Sequence, residues 1–303
     1  MVILCASTSF NMEQVRGDLA KRLPDVEVLL WPHPRANEAE VVVGWNVSPD
    51  LYDGMKRLKM VQSIGAGADS VLRPGLAREV PVCRIVDEGH AVGMLEFVQW
   101  GVLYFQRDFD VMARNQRDTA WKRFPQRNAK SVTVGVLGLG HMGLTVAKGL
   151  ARAGYNVRGW SRTPKDDPAV RCYAGREQLH AFASGCNTLV CLLPLTQETR
   201  GILDRELFAV LPSGASLIQC GRGEHLVEAD LREALDSGRL RGALMDVFAR
   251  EPLPPESWMW SDPRIVVTPH VASEVDWSDA MDQMADNVKR VARGEAPLHS
   301  IAR

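Results

Sequence analysis

Residues 131–157 read SVTVGVLGLGHMGLTVAKGLARAGYNV, and the order of residue types in this stretch decides the fold. The apolar run 132–137 predicts a buried strand. It is followed at once by Gly138, Gly140 and Gly143 in a GxGxxG arrangement, and residues 142–153 predict a helix whose alanines suit close packing on a sheet. A strand that ends on such a loop and reopens as a helix can hold a dinucleotide. One glycine makes the tight turn, one lets a pyrophosphate approach the backbone, and one lets helix meet strand, with helix N-terminal amides facing the anion. At the end of the next apolar run, YNVRGW, an NAD site usually presents an acidic residue to the ribose about 20 residues on. Here Ser161, Arg162 and Thr163 stand in that place. No carboxylate repels a 2′-phosphate, and Arg162 offers a planar, permanently charged donor for one. NADPH is therefore the expected cofactor, with NAD the alternative if Arg162 is only a solvated loop residue.

Working outward, the apolar runs VTVGVLGL, YNVRGW, NTLVCLLPL, ASLIQC, GALMDVF and RIVVTPH recur with helix-like segments between most of them, which predicts a doubly wound parallel sheet. An earlier series of short apolar runs, from Val2 to about Val86, alternates with amphipathic segments such as NMEQVRGDLAKRL and predicts a second, smaller parallel sheet of flavodoxin-like type. Between the two lies a proline-free stretch over 90–116 with helical apolar spacing, read as one long connecting helix. A final amphipathic helix follows Pro269-His270 and is expected to return to the first domain, since a single helix cannot fold alone. The fold class is thus α/β with two doubly wound domains. The substrate domain is expected over 1–98 and 277–303 and the Rossmann domain over 99–276, with the site in the cleft.

Composition narrows the partners. The 303 residues are 46% hydrophobic and 24% charged with a formal net charge of -1, so no sign-biased surface points to nucleic acid or anionic lipid. Six cysteines are scattered without metal-ligand spacing, and no metal site is expected. With no basic leader and no run of membrane-spanning length, the reading is a cytoplasmic protein.

Three ionisable residues follow successive apolar runs at the strand ends where ligands bind in open α/β sheets. Arg222 lies in CGRG after ASLIQC, Glu251 in DVFAREPLP, and His270 closes RIVVTPH. In the first series, QSIGAGADSV places Gly65, Ala66 and Gly67 between strand and helix, where successive amides can receive an anion. Such a set can supply a carboxylate anchor, a donor for a carbonyl oxygen and a proton source. Arginine suits the first two by its planar fork. Histidine suits the last, and a neighbouring glutamate would favour and orient its imidazolium.

GVLGLGHMG, LLPLTQETRGIL, CGRGEHLVEADLREAL, DVFAREPLP and TPHVA occur in the order and spacing of the D-isomer-specific 2-hydroxyacid dehydrogenases. The resemblance covers nearly the whole chain, and REPLPPES with the short C-terminus looks most like the glyoxylate/hydroxypyruvate reductase A branch. It implies Arg222, Glu251 and His270 as the catalytic trio, and Trp45, Gly65, Ala66 and Gly67 with Arg222 and His270 around the substrate. Cofactor contacts are implied at Gly138, Leu139, Gly140, His141, Met142, Gly143, Ser161, Arg162 and Thr163. Further cofactor contacts are implied at Leu193, Pro194, Thr199, Cys220, Gly221 and Asp246. It further implies a homodimer formed through the cofactor domain and the long helix, acting on a small 2-keto or 2-hydroxy acid. The alternatives are a bulkier keto acid, use of NAD, or a nucleotide-sensing corepressor on the same fold. Gly221 and Gly223 are expected to let the chain turn sharply and leave room for ligand. The two tryptophans of SWMWSD have no physical account at this level.

Overall fold

The apolar runs of the first third become five parallel strands, β1 (Val2–Ser7), β2 (Glu27–Leu30), β3 (Val41–Trp45), β4 (Met60–Ser63) and β5 (Val82–Cys83), with α1 (Glu13–Arg22) crossing from β1 to β2. Their order, β2-β1-β3-β4-β5, is the flavodoxin-like one. The computed structural model describes residues 1–301 and divides the chain into two compact units, Met1–Gly89 with the segment from Val275, and His90–Glu274. These divisions fall a little before the boundaries expected at 98/99 and 276/277, the first close to the opening turn of a helix instead of its middle. Between β3 and β4 no α-helix forms, because Pro49 and the left-handed Gly54 (φ 82°) interrupt the segment.

The single helix expected over 90–116 is two helices, α2 (Glu88–Gln106) and α3 (Phe109–Arg117). The chain breaks at Asp108, which takes a left-handed φ of 58°. Arg241 explains the break. Its guanidinium holds the Asp108 carboxylate at 2.6 Å and both oxygens of buried Asp110, the nearer at 2.6 Å, while Arg127 reaches Asp108 from the other side at 3.3 Å. The apolar period runs on through Phe105, Phe109 and Met112, so hydrophobic spacing does not mark the kink. Trp100, Leu103, Phe109 and Met112 of these two helices remain exposed.

The second unit continues with β6 (Thr133–Leu137), α4 (His141–Arg152), β7 (Asn156–Ser161), β8 (Arg171–Ala174), α5 (Leu179–Ala183), β9 (Thr188–Cys191), α6 (Arg205–Val210), β10 (Ala215–Gln219), α7 (Glu228–Asp236), β11 (Leu240–Met245) and β12 (Ile265–Val267). All pair in parallel in the order β12-β11-β10-β9-β6-β7-β8. That is a Rossmann sheet whose order reverses between β9 and β6. Residues on β9 and β10 are buried along their whole length, as a strand covered by helices on both faces requires. The loops that leave β6, β7, β9, β10, β11 and β12 therefore gather at one edge, and they carry the candidate residues of this unit together with Ser161, which ends β7, and His141, Met142 and Gly143, which open α4.

α8 (Trp277–Ala292) belongs to the first unit. It buries Ala280, Met281, Met284, Ala285 and Val288 against the β1–β3 side of that sheet, and Asp276 caps it by accepting the Asp279 N–H at 3.0 Å. The two tryptophans also find a place in the structure. Trp258 lies under the Arg232 guanidinium at 4.3 Å and against the second unit's core, while the Trp260 indole donates to the Pro254 carbonyl at 3.0 Å. The six cysteines are unpaired thiols. Burial pushes Cys5, Cys186 and Cys191 up to about 12, so these are inert core residues. Among the described residues no helix is long and apolar enough to cross a membrane.

Arg241→Leu tests the packed corner at Asp108. It would strand the buried Asp110 carboxylate with only Arg114 at 3.6 Å, and urea unfolding should show a loss of roughly 3 kcal/mol, the usual scale for breaking a buried pair from one side. A loss within about 0.5 kcal/mol, typical of a surface change, would show that the triad does not hold this corner.

Candidate active site

The glycine loop forms as its spacing requires. Gly138 takes a φ of 102°, and a methyl group there would sit 2.9 Å from the Leu192 carbonyl oxygen. A methyl on Gly143 would fall onto the Gly138 carbonyl, so the third glycine is where helix and loop touch. Gly140 faces open space, with no neighbouring atom where its side chain would be. It caps α4, whose first-turn amides have no partner inside the helix. Open space before a helix N-terminus fits a pyrophosphate. Leu139 packs into the core, and His141 and Met142 open the helix. At the end of β7, Ser161 is buried and donates to the Thr163 carbonyl at 2.8 Å, while Arg162 and Thr163 are exposed.

The loop after β9 is tied internally. Leu193 is buried, and the Thr199 hydroxyl donates to the Pro194 carbonyl at 2.8 Å while accepting the Thr196 N–H at 2.8 Å. Cys220, just past the end of β10, is buried, and burial together with the Asp246 charge pushes its thiol well up.

Arg222 follows in extended conformation, its guanidinium donating to the Gly221 carbonyl at 2.8 Å. Neither flanking glycine is left-handed, which corrects the expectation of a sharp turn with room beside it. A methyl on Gly223 would overlap the backbone of Phe248 and Ala249, and one on Gly221 would press on the His225 ring at 2.8 Å. Gly223 is needed because the Arg222 loop lies directly on the loop that carries Glu251, and Gly221 because the His225 ring lies against it.

Glu251 and His270 are joined. His270 Nδ1 lies 2.8 Å from Glu251 Oε2, and Glu251 Oε1 accepts the Phe248 N–H at 2.9 Å. Burial alone would raise the Glu251 carboxyl. The hydrogen bonds from His270 and Phe248, with the charges of His270 and Arg222, outweigh it and hold the group below the usual glutamate value. Arg222 thus acts electrostatically on the Glu251 carboxylate, and all three predicted ionisable residues come together. The pair is about a third exposed, at 39% for His270 and 36% for Glu251, so a ligand can reach it.

His270 itself has a φ of 55°. A non-glycine residue in that region costs about 1–3 kcal/mol and persists only where its surroundings dictate it. Asp246 is the cause here. Its backbone carbonyl accepts the His270 N–H at 2.9 Å, and its carboxylate, 1% exposed, takes the Thr268 hydroxyl at 2.7 Å and the N–H groups of Val271 and Ala272 at 2.9 and 3.0 Å. Asp246, expected at the cofactor, has both carboxylate oxygens engaged in the turn that presents His270. Sequence reasoning missed this role, and it also missed His225, a fully buried imidazole between Arg222 and Pro194.

In the first unit, Trp45 and the 65–67 turn are neighbours. A methyl on Gly65 would meet the Trp45 ring at 2.9 Å. The Gly65 N–H points to the Ser63 hydroxyl at 3.3 Å and the Gly67 carbonyl accepts from that hydroxyl at 2.6 Å, whereas no protein acceptor takes the amides of Ala66 and Gly67 among the described residues. Those two N–H groups suit an anion.

Comparisons with known proteins show what the chain is similar to. The model of the D-isomer specific 2-hydroxyacid dehydrogenase NAD binding domain matches residues 100–272. Glyoxylate/hydroxypyruvate reductase A of Serratia proteamaculans (strain 568) is 40% identical over 294 residues, 95% of this chain and 94% of that protein. A D-isomer specific 2-hydroxyacid dehydrogenase family protein from Klebsiella pneumoniae 342 is 42% identical with a TM-score of 0.91, over 100% of this chain and 97% of that one. The NADPH-dependent glyoxylate/hydroxypyruvate reductase of Sinorhizobium meliloti, solved with NADP and sulfate, is 37% identical with a TM-score of 0.88, over 99% of this chain and 98% of that one. With a glycine loop shaped for a dinucleotide and a Glu251–His270 pair beside Arg222, the chain belongs to the D-isomer specific 2-hydroxyacid dehydrogenase family, on its glyoxylate/hydroxypyruvate reductase A branch, and is an NAD(P)-dependent oxidoreductase.

Proposed function

We propose that this protein reduces small 2-keto acids, glyoxylate and hydroxypyruvate foremost, to 2-hydroxy acids with NADPH. The observation that carries the reading is the Glu251–His270 contact at 2.8 Å within reach of the Arg222 charge. When bound, the nicotinamide supplies the hydride for C2 of the keto acid. Arg222 binds the carboxylate and carbonyl oxygens with its planar fork and stabilises the charge that develops on the latter. Because Nδ1 of His270 is committed to Glu251, its Nε2 is the edge that donates the proton to that oxygen, a role worth about 10²- to 10⁴-fold in rate. Glu251 stays ionised through the neutral range, and its contact to Nδ1 fixes the His270 ring. In the reverse direction the same nitrogen takes the proton from an alcohol. The Ala66 and Gly67 amides are the proposed seat of the substrate carboxylate in the first unit, with Trp45 as an apolar wall.

NADPH is proposed over NADH because no carboxylate follows β7 at 161–163 and Arg162 is exposed there to meet a 2′-phosphate. The Sinorhizobium meliloti relative, described as NADPH-dependent, supports the same choice. Oxidation of NADPH and NADH across a panel running from glyoxylate and hydroxypyruvate to phenylpyruvate tests both statements. The highest kcat/KM is expected for the two small acids with NADPH. Preference for phenylpyruvate would mark the bulkier-substrate alternative, and equal use of NADH would remove the role given to Arg162.

Arg222→Ala is expected to lower kcat/KM by about 10²-fold or more, the scale for losing an oxyanion donor, while NADPH affinity by fluorescence titration stays near wild type. Arg222→Lys, which keeps the charge without the fork, should fall between the two. Turnover of Arg222→Ala near that of the wild type would refute the assignment.

A homodimer through α2 and α3 completes the proposal, supported by the exposed Trp100, Leu103, Phe109 and Met112. Light scattering should give the mass of two 33.5 kDa chains. A stable monomer would exclude it.

A further inference from the structure

His225 lies three residues beyond Arg222 and is 0% exposed. Its Nδ1 accepts the backbone N–H of Arg222 at 3.0 Å, and its Nε2 lies 3.3 Å from the carbonyl oxygen of Pro194, across the sheet edge on the loop after β9. A carbonyl only accepts and an N–H only donates, so the two contacts fix the neutral ring with its proton on Nε2. The Pro194 carbonyl also takes the Thr199 hydroxyl at 2.8 Å, which makes it the point where the 193–199 loop is fastened. Arg222 is held from its other side too. Its carbonyl accepts Gln219 Nε2 at 2.8 Å and the His225 N–H at 3.0 Å. A methyl on Gly221 would press on the imidazole, so the loop has closed tightly over the ring.

We propose that His225 is a positioning residue that sets the peptide from which Arg222 reaches the keto acid and ties that peptide to the 193–199 loop. The inference rests on the function proposed above, in which Arg222 holds substrate, and on the cofactor contacts that the resemblance implies at Leu193, Pro194 and Thr199. The two groups to be joined have opposite polarity, an N–H on one side and a C=O on the other. An imidazole accepts at one edge and donates at the other across a rigid ring, so it meets both, and its acceptor edge is the one that sets the Arg222 peptide. Leaving the Arg222 N–H without its acceptor would let the peptide rotate to find another, and displacements of about 1 Å at a reacting group can cost on the order of 10²-fold in rate.

Three variants of the full chain separate positioning from packing. Asparagine puts its oxygen close to the place of Nδ1, glutamine puts its oxygen nearer the place of Nε2, and leucine fills the space with neither. His225→Leu is expected to lower kcat/KM for glyoxylate or hydroxypyruvate by about tenfold or more, with the loss shared between kcat and the keto-acid KM, whereas His225→Asn should remain within about threefold of wild type. A packing residue would give the opposite ranking, since leucine fills a dry site better than asparagine. Leucine equal to or better than asparagine in kcat/KM overturns the proposal. If His225→Leu does not fold, asparagine should exceed glutamine, and equality of those two overturns it as well. Hydrogen-exchange mass spectrometry of the peptide over 220–226 gives a readout independent of turnover. Slow exchange in wild type and His225→Asn, with faster exchange in His225→Gln, supports the contact to the Arg222 amide, and equal rates in all three refute it. Should the wild type reduce neither keto acid, the functional reading fails alone, and the exchange rates still decide the role of His225.

Discussion

The site depends first on a carboxylate that no substrate need touch. Asp246, at the end of β11, is buried and gathers the Thr268 hydroxyl and two backbone N–H groups of the 268–272 turn. A buried donor left without its acceptor costs about 1–3 kcal/mol, so the three contacts together can hold a turn that places His270 in a left-handed conformation. Glu251 then meets a ring whose position is already dictated. The Glu251–His270 contact is the consequence of that constraint and not its cause, because both groups are too exposed for their own attraction to order a strained backbone.

A second constraint brings Arg222 to the same place. The loops after β10 and β11 lie so close at Gly223 that any side chain there would overlap the Phe248–Ala249 backbone. Parallel neighbouring strands deliver their loops to one edge, but strand spacing alone leaves those loops free to splay. Direct backbone contact at Gly223 removes that freedom. Arg222 is thereby set beside Glu251 closely enough that its charge helps hold the carboxyl low. The glycine on each side of the arginine serves packing within the protein, which is a different reason from the conformational freedom usually invoked for such residues.

The parts of this arrangement that were legible in the sequence share a property: each is a local pattern with a local cause. The glycine loop could be read because turn, phosphate approach and helix packing all act within the six residues from Gly138 to Gly143. Arg222, Glu251 and His270 could be placed because each ends an apolar run, and parallel strands send such ends to a common edge. What could not be read arises between distant segments. Asp246 looks like any polar residue closing a strand until the 268–272 turn is seen on it. The break at Asp108 lies inside an unbroken apolar period and is imposed by Arg241, which stands on β11 more than a hundred residues later. His225 sits in GEHLV as an unremarkable polar residue, since its partner Pro194 belongs to another strand's loop.

This pattern bears on how such a site tolerates change. The groups proposed to meet substrate are partly exposed and carry few contacts of their own, so their replacement should leave the fold intact. The groups that hold them, Asp246, Gly223 and His225, are buried and joined to several segments at once, so a change at any of them reaches the chemistry through the backbone. An arginine at a strand end is chemically sufficient to bind a carboxylate, but its geometry is borrowed from neighbours that never approach the ligand. In this chain that dependence converges on two short loops, 220–226 and 268–272, where side chains add to the backbone hydrogen bonds: Gln219 and His225 hold the Arg222 peptide, and the Asp246 carboxylate holds the N–H groups of Val271 and Ala272. Side-chain partners can be altered one atom at a time, which makes the positioning of Arg222 and His270 adjustable independently of the sheet that carries them.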